Sequence, residues 1–150
     1  MREPLGRGPG TPSVILETGI RAVFHTILVL SVYLLMSGHN RPGGGFVGGL
    51  TAAAAFVLVY AGFGAGGLRK VLPVRAETLL GTGLLLAGGT GVGALVLGAD
   101  FLTSGAAELD LPLFGHVKVT SVLVFDIGVY AIVIGLVLMV LSTLGAEAAE

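Results

Sequence analysis

The chain has 150 residues, 54% of them hydrophobic and only 11% charged, with 26 glycines and a formal net charge of −1. Soluble domains carry about a quarter charged residues, so this composition excludes a water-solvated globule and places the chain in a lipid bilayer. No basic run is longer than Arg69-Lys70, so neither nucleic acid nor an anionic surface is an implied partner, and the lack of cysteine excludes disulfides, thiolate metal ligands and CxxC redox chemistry.

Apolar runs follow one another over residues 13–37, 46–63, 78–97 and 119–141. At a rise of about 1.5 Å per residue the last three cover roughly 27 to 35 Å, matching a hydrocarbon core of about 30 Å. The expected fold is therefore a single all-α membrane domain over 1–150, with four transmembrane helices joined by short loops. Short connections predict that consecutive helices are antiparallel and adjacent.

The first run follows Arg2 and Arg7, as a signal peptide would, but its apolar stretch is longer than a signal core and no A-x-A pattern follows it, so it is read as retained. It carries Glu17, Arg21 and His25 at successive spacings of four. Glu17 and Arg21 stand in the favoured order for a helical ion pair, and both can snorkel to the interface. His25 lies deeper, and an imidazole can take up and release a proton, which makes it a candidate proton carrier.

The second run opens with SGHNRPGGGFVGGL, residues 37–50. Gly43, Gly45 and Gly48 match the dinucleotide pattern GxGxxG as text only. The pattern needs a preceding strand and an acidic residue about twenty positions on, whereas the next carboxylate is Glu77 and no Lys-Ser/Thr pair completes a P-loop. In a bilayer the stretch reads differently. Gly44, Gly48 and Ala52 form one small-xxx-small ladder and Gly45, Gly49 and Ala53 a second, giving a bare face for docking against this chain's own helices or those of other chains. Phe46 is the one bulky group beside it. The third run repeats the theme with Gly81, Gly83, Gly88, Gly89, Gly91 and Gly93.

Residues 98–118, with Asp100, Glu108 and Asp110, are expected as the longest loop, and Lys118 sits at the outer mouth of the fourth run. Asp126 falls about a third of the way into that run, where a charge costs roughly 2.5 to 3.5 kcal/mol. Flanking Val, Leu, Ile and Phe residues, at about 0.3 to 0.6 kcal/mol each, still insert the helix. An intramembrane carboxyl points to an interior partner, an aqueous path or a proton relay. Tyr130, one turn on, is placed to hydrogen-bond it. Asp126, His25, Tyr130 and Lys118 are thus the candidates for an ion or proton path. His39 and His116 fall in loops, and without a His pair at i, i+4 no metal site is expected. Arg2, Arg7, Arg21, Arg69, Lys70 and Arg75 outweigh Arg41 and Lys118, which predicts cytoplasmic N- and C-termini.

The stretch GHNRPGGGFVGGL at 38–50, together with TSVLVFDIGVYAIVIG at 120–135, resembles the MnhB/MrpB family, the B-type component of the Mrp-type multisubunit Na+/H+ antiporter. His39, Asn40, Pro42, Gly43, Gly44, Gly45, Phe46, Gly48 and Gly49 carry the first part of the match. The resemblance implies a multi-pass protein of the cell membrane with no cofactor. It implies assembly with other Mrp-type antiporter subunits, and exchange of cytoplasmic Na+ for external H+. The competing class is a membrane component of a redox-driven complex such as a membrane-bound hydrogenase. In that case every redox centre lies on a partner, because this chain offers neither cysteine for iron–sulfur nor paired histidines for haem. An autonomous channel is disfavoured, since few polar groups are present to line a pore.

Overall fold

A computed structural model of the chain describes residues 14–38, 42–72, 74–96, 106–111 and 115–147. It contains four helices, α1 (Val14–Ser37), α2 (Gly45–Val71), α3 (Ala76–Val96) and α4 (Ser121–Glu147), and a hairpin of β1 (Ala106–Leu111) and β2 (Gly115–Thr120) before α4. Three of them, α1, α2 and the Ser121–Gly145 part of α4, are long and apolar enough to cross a membrane.

The boundaries differ from the sequence expectation at the end of α2, before α4, and at the end of α4, which runs to Glu147 rather than stopping at residue 141. The α2 helix does not stop at residue 63. Gly64 takes a left-handed conformation (φ 66°, ψ −168°), which a side chain would resist, and the helix then resumes to Val71 with Arg69 and Lys70 in its last turn. The expected loop before the fourth run is in part an antiparallel ladder running from Ala106 opposite Thr120 to Leu111 opposite Gly115. The fourth helix consequently starts at Ser121, and Asp126 lies in its second turn rather than a third of the way along.

Helix neighbours also depart from chain order. Extensive packing joins α1 to α2, α2 to α4, and α4 to α3, while α1 touches α4 only slightly and α2 and α3 make no extensive contact. The expectation that consecutive helices are adjacent therefore fails for α2 and α3, because α4 occupies the place between them. Close approaches give the directions. Gly45 meets Asp126, Gly49 meets Tyr130 and Val133, and Gly145 meets Ala65, so α2 and α4 run parallel. Gly48 meets Ser31 and Leu35, and Gly62 meets Ile20, so α1 is antiparallel to α2. Gly83 and Gly128 face each other and Gly135 meets Leu80, so α3 is antiparallel to α4.

A buried cluster of Ile20, Phe24, Ala52, Ala55, Phe56, Val59, Ile134, Leu138 and Leu141 binds α1, α2 and α4 together. Phe24 meets Phe56 edge to face at 5.6 Å, an arrangement that aligns the positive ring edge with the negative face. Leu84, Leu85, Val92 and Leu95 of α3 and Val29, Val32 and Tyr33 of α1 remain exposed, as suits surfaces that meet lipid or other apolar helices.

Candidate functional site

The glycine-rich corner between α1 and α2 closes directly on Asp126. The Gly44 amide donates to the carbonyl of Leu34 at 2.9 Å, folding the corner back onto the last turn of α1. Gly44 itself has φ 94°, a conformation that L side chains rarely adopt. A Cβ built on Gly44 would lie 3.4 and 3.6 Å from the two carboxyl oxygens of Asp126, and one on Gly45 would overlap the Asp126 carbonyl oxygen. Gly38 shares the arrangement, since a Cβ there would fall 2.5 Å from Gly44 Cα and 3.3 Å from Asp126 Oδ2. The half-buried carboxyl thus sits against bare backbone at the N-terminal end of α2, where unpaired amides carry roughly half a positive charge.

The two ladders of small residues face inward within this chain. A Cβ on Gly48 would be 2.8 Å from the Ser31 carbonyl oxygen and 3.1 Å from the Leu35 amide, and one on Gly49 would be 2.9 Å from Val133 Cβ. Gly48 therefore serves α1 and Gly49 serves α4, so this face of α2 is occupied by the chain's own helices. Phe46 is exposed, standing out beside that face as expected. Pro42 and Gly43 belong to the described corner, whereas His39 and Asn40 lie outside the described residues.

Tyr130 is one turn below Asp126 but its hydroxyl engages a different group. It lies 3.0 Å from Ser31 Oγ, which is fully buried and donates its single proton to the Leu28 carbonyl at 2.8 Å. With that proton committed, the tyrosine must be the donor of the pair. This is the side-chain link from α1 to α4 under the carboxyl. Sequence reasoning missed both Ser31 and Gly38. The signal for Ser31 was a small hydroxyl inside an otherwise apolar run, and Gly38 stood at the edge of a motif already singled out. Tyr130→Phe should lower the melting temperature of the detergent-solubilised protein modestly. Interhelical hydrogen bonds in membranes average about 0.6 kcal/mol and reach about 1.7. A melting curve unchanged from the parent would show that the link contributes no stability.

Of the remaining candidates, His25 is not brought to Asp126. His25 is exposed on α1, its Nδ1–H donating to the Arg21 carbonyl at 2.6 Å and its ring edge against Phe24. Its neighbour Phe24 is level with Phe56, so on the order of 15 Å of helix axis separates it from the Asp126 corner. Lys118 falls in β2, opposite Glu108 in the ladder and off the helix altogether. Arg21 and Glu17 form the anticipated ion pair at 2.6 Å. Among the described residues no group of three or more His, Cys, Asp or Glu side chains is placed to hold a metal ion.

Comparison with known proteins places this geometry in context. Residues 15–139 match the family described as a domain related to the MnhB subunit of Na+/H+ antiporter. The chain is similar to the B-type Na(+)/H(+) antiporter subunit of Bacillus subtilis (strain 168), with 42% identity over 137 residues that cover 91% of this chain and 96% of that protein. It is also similar to the B-type Na(+)/H(+) antiporter subunit of Alkalihalophilus pseudofirmus, at 40% identity over 89% of this chain and 93% of that protein. A third relative, the probable A/B-type K(+)/H(+) antiporter subunit of Rhizobium meliloti, is 34% identical over 91% of this chain, which spans 13% of that much longer protein.

Proposed function

We propose that this chain, which belongs to the family of domains related to the MnhB subunit of Na+/H+ antiporters, is the B-type component of an antiporter built from several different subunits that exchanges Na+ for H+ across the cytoplasmic membrane. Near-complete coverage of two B-type antiporter subunits at 40% identity or more carries this reading. Those names favour an antiporter over a redox-driven complex, and sodium over potassium, which appears in the name of a less similar relative. Its partners are the other subunits of that antiporter. Gentle purification of the tagged chain, followed by mass spectrometry of its companions, tests the assignment. Antiporter-type subunits should co-purify, and hydrogenase subunits in their place would overturn it.

Within that complex Asp126 is the residue this chain lends to the ion or proton path. It is a carboxyl at the membrane-embedded junction of α1, α2 and α4, held against backbone rather than against a fixed cation among the described residues. His25, far from it, serves no common relay with it inside this chain. The third helix, α3, is the fourth span: its 21 residues extend about 31 Å, and it packs along α4. Both termini and the α2–α3 connection then face the cytoplasm, in accord with Arg69, Lys70 and Arg75. The chain has no cysteine, so single replacements report topology cleanly. An impermeant thiol reagent should label Ala106→Cys in intact cells and Val74→Cys only after the inner face is opened. The opposite pattern would invert the orientation.

A further inference from the structure

A concavity remote from Asp126 opens between two of the helices. It is a groove of about 700 Å³ between α1 and the C-terminal half of α2. Buried Ile20, Phe24 and Val59 form its floor with Phe63, and Arg21 and Lys70 stand at its rim. The groove owes its shape to glycine. Helix α2 breaks at Gly64, the following turn carries Lys70 toward α1, and Gly66 and Gly67 leave the wall bare. A Cβ on Gly66 would meet nothing within 4 Å, so the space beside it is open.

We propose that this groove holds an anionic phospholipid, its phosphate against Lys70 and Arg21 and an acyl chain along Phe24, Val59 and Phe63. The volume lies within the roughly 300 to 1,000 Å³ of small-molecule pockets, too large for a lone ion or water. Its apolar floor lies within the spanning part of two helices, where hydrocarbon is the available filling. Its basic rim is formed by Lys70, next to last in α2, and Arg21, two turns into α1, whose long side chains can reach toward the headgroup layer. Glu17 shares the lining, but its carboxylate is held by Arg21 at 2.6 Å. Lys70 has no ion-pair partner among the described residues, so the rim keeps a net positive charge. Basic pockets between transmembrane helices select anionic headgroups in this way. The site is independent of the role assigned to Asp126.

The test uses the assembled complex in detergent and phosphatidylglycerol with a photoreactive acyl chain, compared with the matching phosphatidylcholine. Phosphatidylglycerol should label peptides containing Phe24 and Phe63 several-fold more than phosphatidylcholine, and unlabelled phosphatidylglycerol should compete. Lys70→Gln should reduce the labelling about five-fold, the effect of one basic residue beside an anionic headgroup. Gly66→Leu, which fills open space, should remove labelling by either lipid, and Lys70→Gln remains decisive if that variant assembles poorly. Equal labelling by both lipids with no response to Lys70→Gln would overturn the proposal in favour of ordinary boundary lipid. Displacement by inorganic phosphate would identify a free-anion site instead. Crosslinking of these residues to another protein of the complex would make the groove a protein interface.

Discussion

Gly45→Ala is expected to lower the amount of folded chain in the membrane several-fold, although it adds a single methyl group. The added Cβ would overlap the backbone carbonyl of Asp126, and a carbonyl on a helix cannot rotate aside as a side chain can. Overpacking typically costs about 1 to 3 kcal/mol, and contact with backbone belongs at the upper end of that range. Such a loss is a large fraction of a domain's total of about 5 to 15 kcal/mol. Relieving the contact means moving α4 away from α2, which also opens the packing of Gly49 on Val133 and displaces the carboxyl. Phe46→Ala, one residue on and exposed, is the matched control and should accumulate normally. Quantitative blotting of membranes and melting in detergent measure both. Parental levels and stability for Gly45→Ala would show that α2 and α4 do not approach at this point.

The second large effect is expected at Asp126 itself. Asparagine has nearly the same size and keeps hydrogen-bonding capacity, so it fits against Gly44 without disturbing the corner, but it cannot exchange a proton or balance a cation's charge. Asp126→Asn should therefore leave assembly intact while Na+/H+ exchange in membrane vesicles falls several-fold, with salt-dependent growth falling in parallel. Asp126→Leu serves as the structural comparison. Its branched end would press on Gly38 and Gly44 and should damage assembly and exchange together. Because Tyr130 donates to Ser31, loss of the carboxyl does not leave the tyrosine without its bond. A structural role therefore predicts little harm from Asn. Normal exchange with an unchanged pH profile in the assembled Asn variant would remove Asp126 from the path.

Much of this architecture was legible in the sequence because the bilayer imposes a length on every span. The helix over residues 14–37 differs by one residue from its apolar run, and Gly44, Gly45, Gly48 and Gly49 of the second run lie close to other parts of the chain, whereas Gly81, Gly88, Gly89 and Gly93 of the third meet nothing within 4 Å. Which helices approach was not legible. Glycines at 45, 48, 49, 83 and 128 announce contact without naming a partner, and only the structure shows α4 between α2 and α3. The hairpin was overlooked although its residues alternate. Leu109 and Leu111 interleave with Glu108 and Asp110, and Val117 and Val119 with His116 and Lys118, a period of two that a search for helical spans passes over. The link between the GHNRPGGGF stretch and Asp126 was likewise invisible. Those residues lie some eighty positions apart in the chain, and contact between them depends on α2 and α4 running parallel.

The placement of α3 bears on how the protein is made. Its one extensive contact among the described helices is with α4, yet α4 is the later of the two to leave the ribosome. Until then α3, rich in glycine and poor in intrinsic helical preference, waits without the neighbour that supports it. The α1–α2 pair needs nothing synthesised later to meet through Gly48, but the Asp126 corner forms only when α4 arrives. Biogenesis therefore runs as an early hairpin of two helices, an unsupported interval, and a last helix that docks on α2 with one face and collects α3 with the other. During that interval Gly83 of α3 stands without the α4 backbone that it meets in the finished fold.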